Sequence, residues 1–125
     1  MLVAWDPVNQ KERWRVPGGG AVGGGTVTTA GNLVFQVLPL GHLVAYSADK
    51  GEKLLDIETG LPGGMGPPIT YMLDGKQYVS LMGGLGTLPP PIPGAAVPQP
   101  GATGAPVLPK LFTFVLDGKT ALPTK

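Results

Sequence analysis

Two stretches align without gaps: LVAWDPVNQKERWRV at residues 2–16 and LVAYSADKGEKLLDI at residues 43–57. Leu2, Val3 and Ala4 recur as Leu43, Val44 and Ala45, Trp5 becomes Tyr46, and Val16 becomes Ile57. The offset from Leu2 to Leu43 is 41 residues. Self-similarity at a fixed period of this length marks a structural repeat, in which one unit buries its apolar face against the next. A weaker third copy is LFTFV at residues 111–115, with Phe114 at the Trp5 position.

The segments around the repeat read as short strands. TVTTA (26–30), NLVFQ (32–36), HLVAYS (42–47) and KLLDI (53–57) are short and mostly rich in β-formers, and Gly31, Gly41 and Asp49-Lys50-Gly51 punctuate them as turns. Four antiparallel strands in that span make one blade of a β-propeller. LVAWD and ERWRV before them make half a blade. ITYML (69–73) and KQYVSLM (76–82) follow, joined by Asp74-Gly75, a strong two-residue hairpin signal. LFTFVL (111–116) is the last strand, and no amphipathic helix of ordinary length is expected. The organisation is therefore a half blade at 1–17, a Gly-rich loop at 18–25, a complete blade at 26–57, and a partial last blade at 67–125. Inside the last lies a Pro-rich loop, 86–110, nearly without charge. Such a segment is expected to be extended and mobile, because it cannot bury enough apolar surface to offset its ordering entropy.

Composition agrees with a turn-rich all-β chain: 21 glycines and 15 prolines among 125 residues. Net charge is +1 and charged residues are 14%, which does not suggest nucleic acid as a partner. With no cysteine there is no disulfide and no thiolate metal site. No apolar run approaches the ~20 residues of a membrane helix. The N-terminal residues lack the basic region and cleavage site of a signal peptide.

The run GGGAVGGG at 18–25 spells a dinucleotide fingerprint, Gly18-x-Gly20-x-x-Gly23. That motif must open a helix, whereas a strand follows here. A phosphate loop from Gly19 to Thr26 fails too, because Gly25 stands where the lysine must be. An inter-blade loop is the remaining reading. His42, the one histidine, sits at the start of a strand after Gly41 and is expected to be a surface residue beside that turn rather than a catalytic base. The aspartates are dispersed and form no calcium loop. Asp6 is expected to hydrogen-bond a turn, and Trp5 and Trp14 to pack in the core or between blades.

The strings LVAWDPVNQKERWRVP, GGTVTTAGNLVFQ, GHLVAYSADKGEKL, PPITYMLDGKQYVSLMGG and KLFTFVLDGKTALP resemble the C-terminal part of the quinoprotein alcohol dehydrogenases, over nearly the whole chain except the Pro-rich loop. The resemblance implies a fragment of an eight-bladed β-propeller of four-stranded antiparallel blades. It also implies the family's cofactors, pyrroloquinoline quinone (PQQ) and calcium, a cytochrome c as electron acceptor, and a periplasmic location. The family's tryptophan-docking motif, Ala-x-Asp, a Gly-Lys pair and Trp, is matched by Ala4, Asp6, Lys11 and Trp14, with Gln10 in place of glycine. In the second copy Ala45 and Gly51 match, Ser47 replaces Asp, and Leu55 replaces Trp.

The family's Trp-Asn pair before Gly-Gly-Thr falls on Val22 and Gly23. The tryptophan of its Gly-Trp-Gly falls on Leu85. These are the cofactor-loop positions, and none carries the ring or amide that a planar, polar quinone needs. The family's catalytic aspartate and calcium ligands lie upstream of the matched portion. The resemblance thus implies no catalytic or metal residue here, and the chain alone is expected to be inactive and to bind neither cofactor. Its partners would be the remaining blades, on the same or a second chain. A non-catalytic propeller-like interaction module, or a subunit completing a split dehydrogenase, is the alternative.

Overall fold

The computed structural model describes residues 1–18, 24–39, 41–61, 65–84 and 108–119. They form nine strands: β1 (Leu2–Asp6), β2 (Lys11–Val16), β3 (Thr26–Thr28), β4 (Leu33–Val37), β5 (His42–Ser47), β6 (Lys53–Glu58), β7 (Ile69–Leu73), β8 (Lys76–Gly83) and β9 (Lys110–Val115). These make three antiparallel sheets: β1-β2, then β3-β4-β5-β6, then β7-β8-β9. Among the described residues there is no helix, so the all-β expectation holds.

The repeat survives into the pairing register. Leu2 pairs with Val16, and Leu43 with Ile57; Ala4 pairs with Trp14, and Ala45 with Leu55. Both pairs of strands then shift register at the same place, between Ala4 and Trp5 and between Ala45 and Tyr46. A bulge of this kind sharpens the local twist. Its recurrence shows that the two copies share a backbone path as well as a residue pattern.

The hairpin between β7 and β8 follows from Asp74-Gly75. Leu73 pairs with Lys76, and both loop residues hold left-handed backbone, with φ of 48° and 72°. Asp and Gly tolerate this, and the resulting twist suits the flanking strands. β8 then pairs with β9, Gly83 opposite Lys110, so the strands on either side of the Pro-rich segment share one sheet. Residues 85–107 of that segment lie outside the described residues.

β4 and β5 are buried on both faces. Phe35, Val37, Leu43 and Ala45 join Met65, Val79 and Leu81 in one core, with Phe112 and Phe114 packed against it. That core holds the second and third sheets together, and each fully buried Leu or Val in it contributes about 2 kcal/mol. Within the third sheet, Tyr71 stacks on its partner Tyr78. The buried Ser80 hydroxyl meets Tyr71 Oη at 3.2 Å and Thr113 Oγ1 at 2.9 Å, so it is not left unpaired.

The first sheet reaches the second through Trp14. Its indole N–H donates to the Ala48 carbonyl at 2.9 Å, and its ring lies over Gly51. A Cβ on Gly51 would stand 2.7 Å from Trp14 Cδ2, so glycine is required by space as well as by its φ of 72°.

Two expectations change. Trp5 does not pack in a core: it is 58% exposed, whereas its repeat partner Tyr46 is 4% exposed. The residue pattern is the same, but β1 is an edge strand of a two-stranded sheet and β5 is central in four. β3 stops at Thr28, two residues early: the Thr29 N–H still donates to the Leu33 carbonyl at 2.9 Å, and the chain then reverses through a turn with Asn32 at a φ of 63°. His42 is the first residue of β5, at the strand start where the sequence places it.

Candidate functional site

The three positions singled out for the cofactor, Val22, Gly23 and Leu85, lie outside the described residues. Their flanks are described, and the two flanks converge. Gly24 donates to the Val37 carbonyl and Gly25 accepts from the Val37 N–H, both at 3.2 Å, which ties the end of the Gly-rich run to β4. A Cβ on Gly24 would stand 2.7 Å from the Met65 carbonyl oxygen. A Cβ on Gly83 would stand 2.9 Å from Met65 Cγ and 3.0 Å from Leu61 Cδ1. Gly24, just after the first loop, thus lets the backbone close on Met65 and Val37, and Gly83, just before the second, lets it close on Met65 and Leu61, all of them buried.

The segment that carries Leu61 and Met65 is held by polar contacts at its two ends. The Thr59 hydroxyl donates to the Gly41 carbonyl at 2.6 Å, and the Thr59 N–H donates to the same oxygen at 2.9 Å. The Gly66 N–H donates to the Met82 carbonyl at 2.7 Å, joining the segment after β6 to β8. The residue reading did not single out Thr59, Leu61 or Met65. The available signal was two apolar residues inside the Gly- and Pro-rich run TGLPGGMGPP.

Ionisable groups cluster elsewhere, at the surface. Asp56 accepts from Lys53 Nζ at 2.8 Å and lies 2.8 Å from His42 Nδ1. Lys53 first, then His42, hold the Asp56 carboxyl below its ordinary range. Asp6 accepts from the Val8 and Asn9 N–H groups and from the Asn9 side chain, as expected of a turn-bonding residue. Those bonds, the Asn9 side chain foremost, lower its pKa as well.

Among the described residues no group of three His, Asp or Glu side chains could hold a metal ion. Beside the Gly18 flank stands the buried Gln36, whose side-chain Oε1 has no hydrogen-bond partner among the described residues, whereas Gly83 and Gly84 meet backbone and aliphatic groups. What the flanks supply is a shared footing on Met65.

No family model matches the chain. Relatives do. Quinohemoprotein alcohol dehydrogenase ADH IIB of Pseudomonas putida is 45% identical over 122 residues, which cover 98% of this chain and 17% of the relative. The 1-butanol dehydrogenase (cytochrome c) of Thauera butanivorans is 39% identical over 122 residues, covering 98% of this chain and 16% of the relative. The solved structure of quinohemoprotein alcohol dehydrogenase ADHIIG of Pseudomonas putida HK5 superposes with a TM-score of 0.70 at 35% identity, over 98% of this chain and 17% of that one. The chain therefore spans about a sixth of the length of the relatives it matches. Because the likeness covers nearly the whole chain, it favours a dehydrogenase segment over a separate interaction module. These relatives are β-propellers, and the three sheets described above are part of one. The chain belongs to the quinoprotein alcohol dehydrogenase family, and it corresponds to the C-terminal region of the family's propeller.

Proposed function

We propose that this chain serves as the architectural C-terminal segment of a PQQ-dependent alcohol dehydrogenase. The first sheet is half of one blade of eight, the second a whole blade, and the third most of a last one. Trp14 is a docking residue that locks the first blade to the second. The parent reaction is oxidation of an alcohol to a carbonyl, with electrons passed to a cytochrome c and with calcium beside the quinone. The site of action is the periplasm. The catalytic residues are contributed by the remaining blades, and this chain alone is inactive.

The observation that carries the proposal is the repeat: two strand pairs match residue by residue through a shared bulge, and an indole bridges one unit to the next. Sheets repeated and joined in this way are blades of a larger ring. Val22, Gly23 and Leu85 are the loop positions nearest the quinone in that ring. Lacking a ring and an amide there, this segment weakens the cofactor's seat.

A chimera tests the reading. The matching residues of a PQQ-loaded relative are replaced by this chain, and PQQ content and alcohol-dependent dye reduction are measured. A soluble chimera of lowered PQQ content is expected, with the content restored by Val22→Trp, Gly23→Asn and Leu85→Trp together. A chimera that cannot fold would overturn the architectural assignment. A soluble chimera with full PQQ content would overturn the role given to the three positions.

A further inference from the structure

The junction between the first and second sheets has a counterpart between the second and third. Leu55 follows Trp14 by one repeat and holds the same register, opposite Ala45 as Trp14 is opposite Ala4. The receiving turns correspond as well. The Ala48 N–H donates to the Asn32 carbonyl, and the Leu116 N–H donates to the Gln77 carbonyl, both at 2.9 Å. The Gly51 N–H closes its turn on the Ser47 carbonyl at 2.9 Å, and the Gly118 N–H closes its turn on the Val115 carbonyl at 3.0 Å. Leu116 thus takes the place of Ala48, and Gly118 ends a turn one residue shorter than the turn that Gly51 ends.

What differs is the side chain between the sheets. At the first junction an indole covers Gly51 and bonds the Ala48 carbonyl. At the second the matching side chain is a leucine, and a cleft of about 520 Å³ opens there. Leu33, Leu55, Val79, Phe114, Leu116 and Gly118 line it. Among its described lining residues Asp117 alone is ionisable, which favours a neutral or cationic occupant over an anionic one. Clefts of this size and apolarity suit small aromatic ligands.

We propose that this cleft binds an indole-type ring, seated against Gly118 with its N–H directed to the Leu116 carbonyl, as Trp14 is seated one junction earlier. This assignment is independent of the enzymatic reading. It concerns a site between two sheets and needs neither the quinone nor the other blades.

The test titrates indole, tryptamine and indole-3-acetate into the full chain and follows backbone amide shifts by NMR. Indole and tryptamine are expected to give saturable shifts at Leu55, Val79, Leu116 and Gly118 below about 10 mM, the range for so small a ligand. Indole-3-acetate should bind about fivefold more weakly, the effect of one like charge near Asp117. Leu55→Trp should fill the cleft and remove the shifts, and Leu55→Ala should keep them. No saturable shift, shifts centred elsewhere, equal binding of the anion, or unchanged binding by a folded Leu55→Trp chain would overturn the assignment. If Leu55→Trp does not fold, loss of binding in Leu55→Ala would do so.

Discussion

Trp14 and Ala48 are thirty-four residues apart in sequence, and the indole N–H of the first donates to the carbonyl of the second at 2.9 Å. This bond crosses from one sheet to the next. It is one of few polar ties that the two-stranded first sheet makes to the rest of the described chain.

Trp14→Ala should therefore cost about 2–3 kcal/mol, less than full burial would give because the ring is half-buried. Trp14→Phe should cost about 1 kcal/mol, chiefly the lost hydrogen bond. Trp5→Ala should cost under about 1 kcal/mol, since its ring is mostly exposed. Urea melts of the three variants make the comparison. Equal losses for Trp5 and Trp14 would contradict the locking role.

Gly51 is the other half of the same contact. Gly51→Ala combines a left-handed backbone with a clash on the Trp14 ring, so a loss of about 2 kcal/mol or more is expected. In a double-mutant cycle with Trp14→Ala the clash disappears, and the two losses should fall short of additivity by about 1 kcal/mol. Strict additivity would show that the two residues do not share one contact.

Gln10 is the repeat partner of Gly51 and also holds left-handed backbone, with φ of 49° against 72°. A side chain there carries strain of about 1–2 kcal/mol. Relief of strain exceeds the added chain entropy of glycine, about 0.5–1 kcal/mol, so Gln10→Gly should stabilise by about 0.5–1 kcal/mol. A lower thermal midpoint for the variant would refute this.

Much of this architecture is legible in the residues, for identifiable reasons. The Asp74-Gly75 turn is local chemistry, and its hairpin appears with both loop residues at positive φ. The 41-residue repeat constrains register, and the pairing follows it through the bulge. Trp5 misleads because exposure depends on which strands lie beside it, which a side chain cannot encode by itself. Met65 and Leu61 go unnoticed because they sit in a Gly-Pro run without periodicity, and only the tertiary fold turns them into the plug under two loops.

Asp56 contributes to the acid limb of stability and Tyr46 to the alkaline limb. Asp56 has its folded pKa lowered by Lys53 and His42, so the unfolded chain binds more protons near pH 4. Its contribution is present above the unfolded carboxylate pKa and is lost as pH falls through the folded value. Tyr46 has its pKa raised, first by burial. Its contribution is full below the ordinary tyrosine pKa of about 10 and is lost as pH rises through the folded value. Thermal midpoints measured across pH should show a shallower acid limb in Asp56→Asn and a shallower alkaline limb in Tyr46→Phe. Limbs unchanged by these substitutions would place the titration elsewhere.

The proposed architectural role leaves no quinone site within this segment itself. Titration of PQQ into the full chain, followed by tryptophan emission and quinone absorbance, tests this most directly. No saturable change is expected up to about 100 μM quinone, which corresponds to a binding free energy weaker than about −5.5 kcal/mol. Saturable binding of one quinone per chain with a micromolar Kd would contradict the claim.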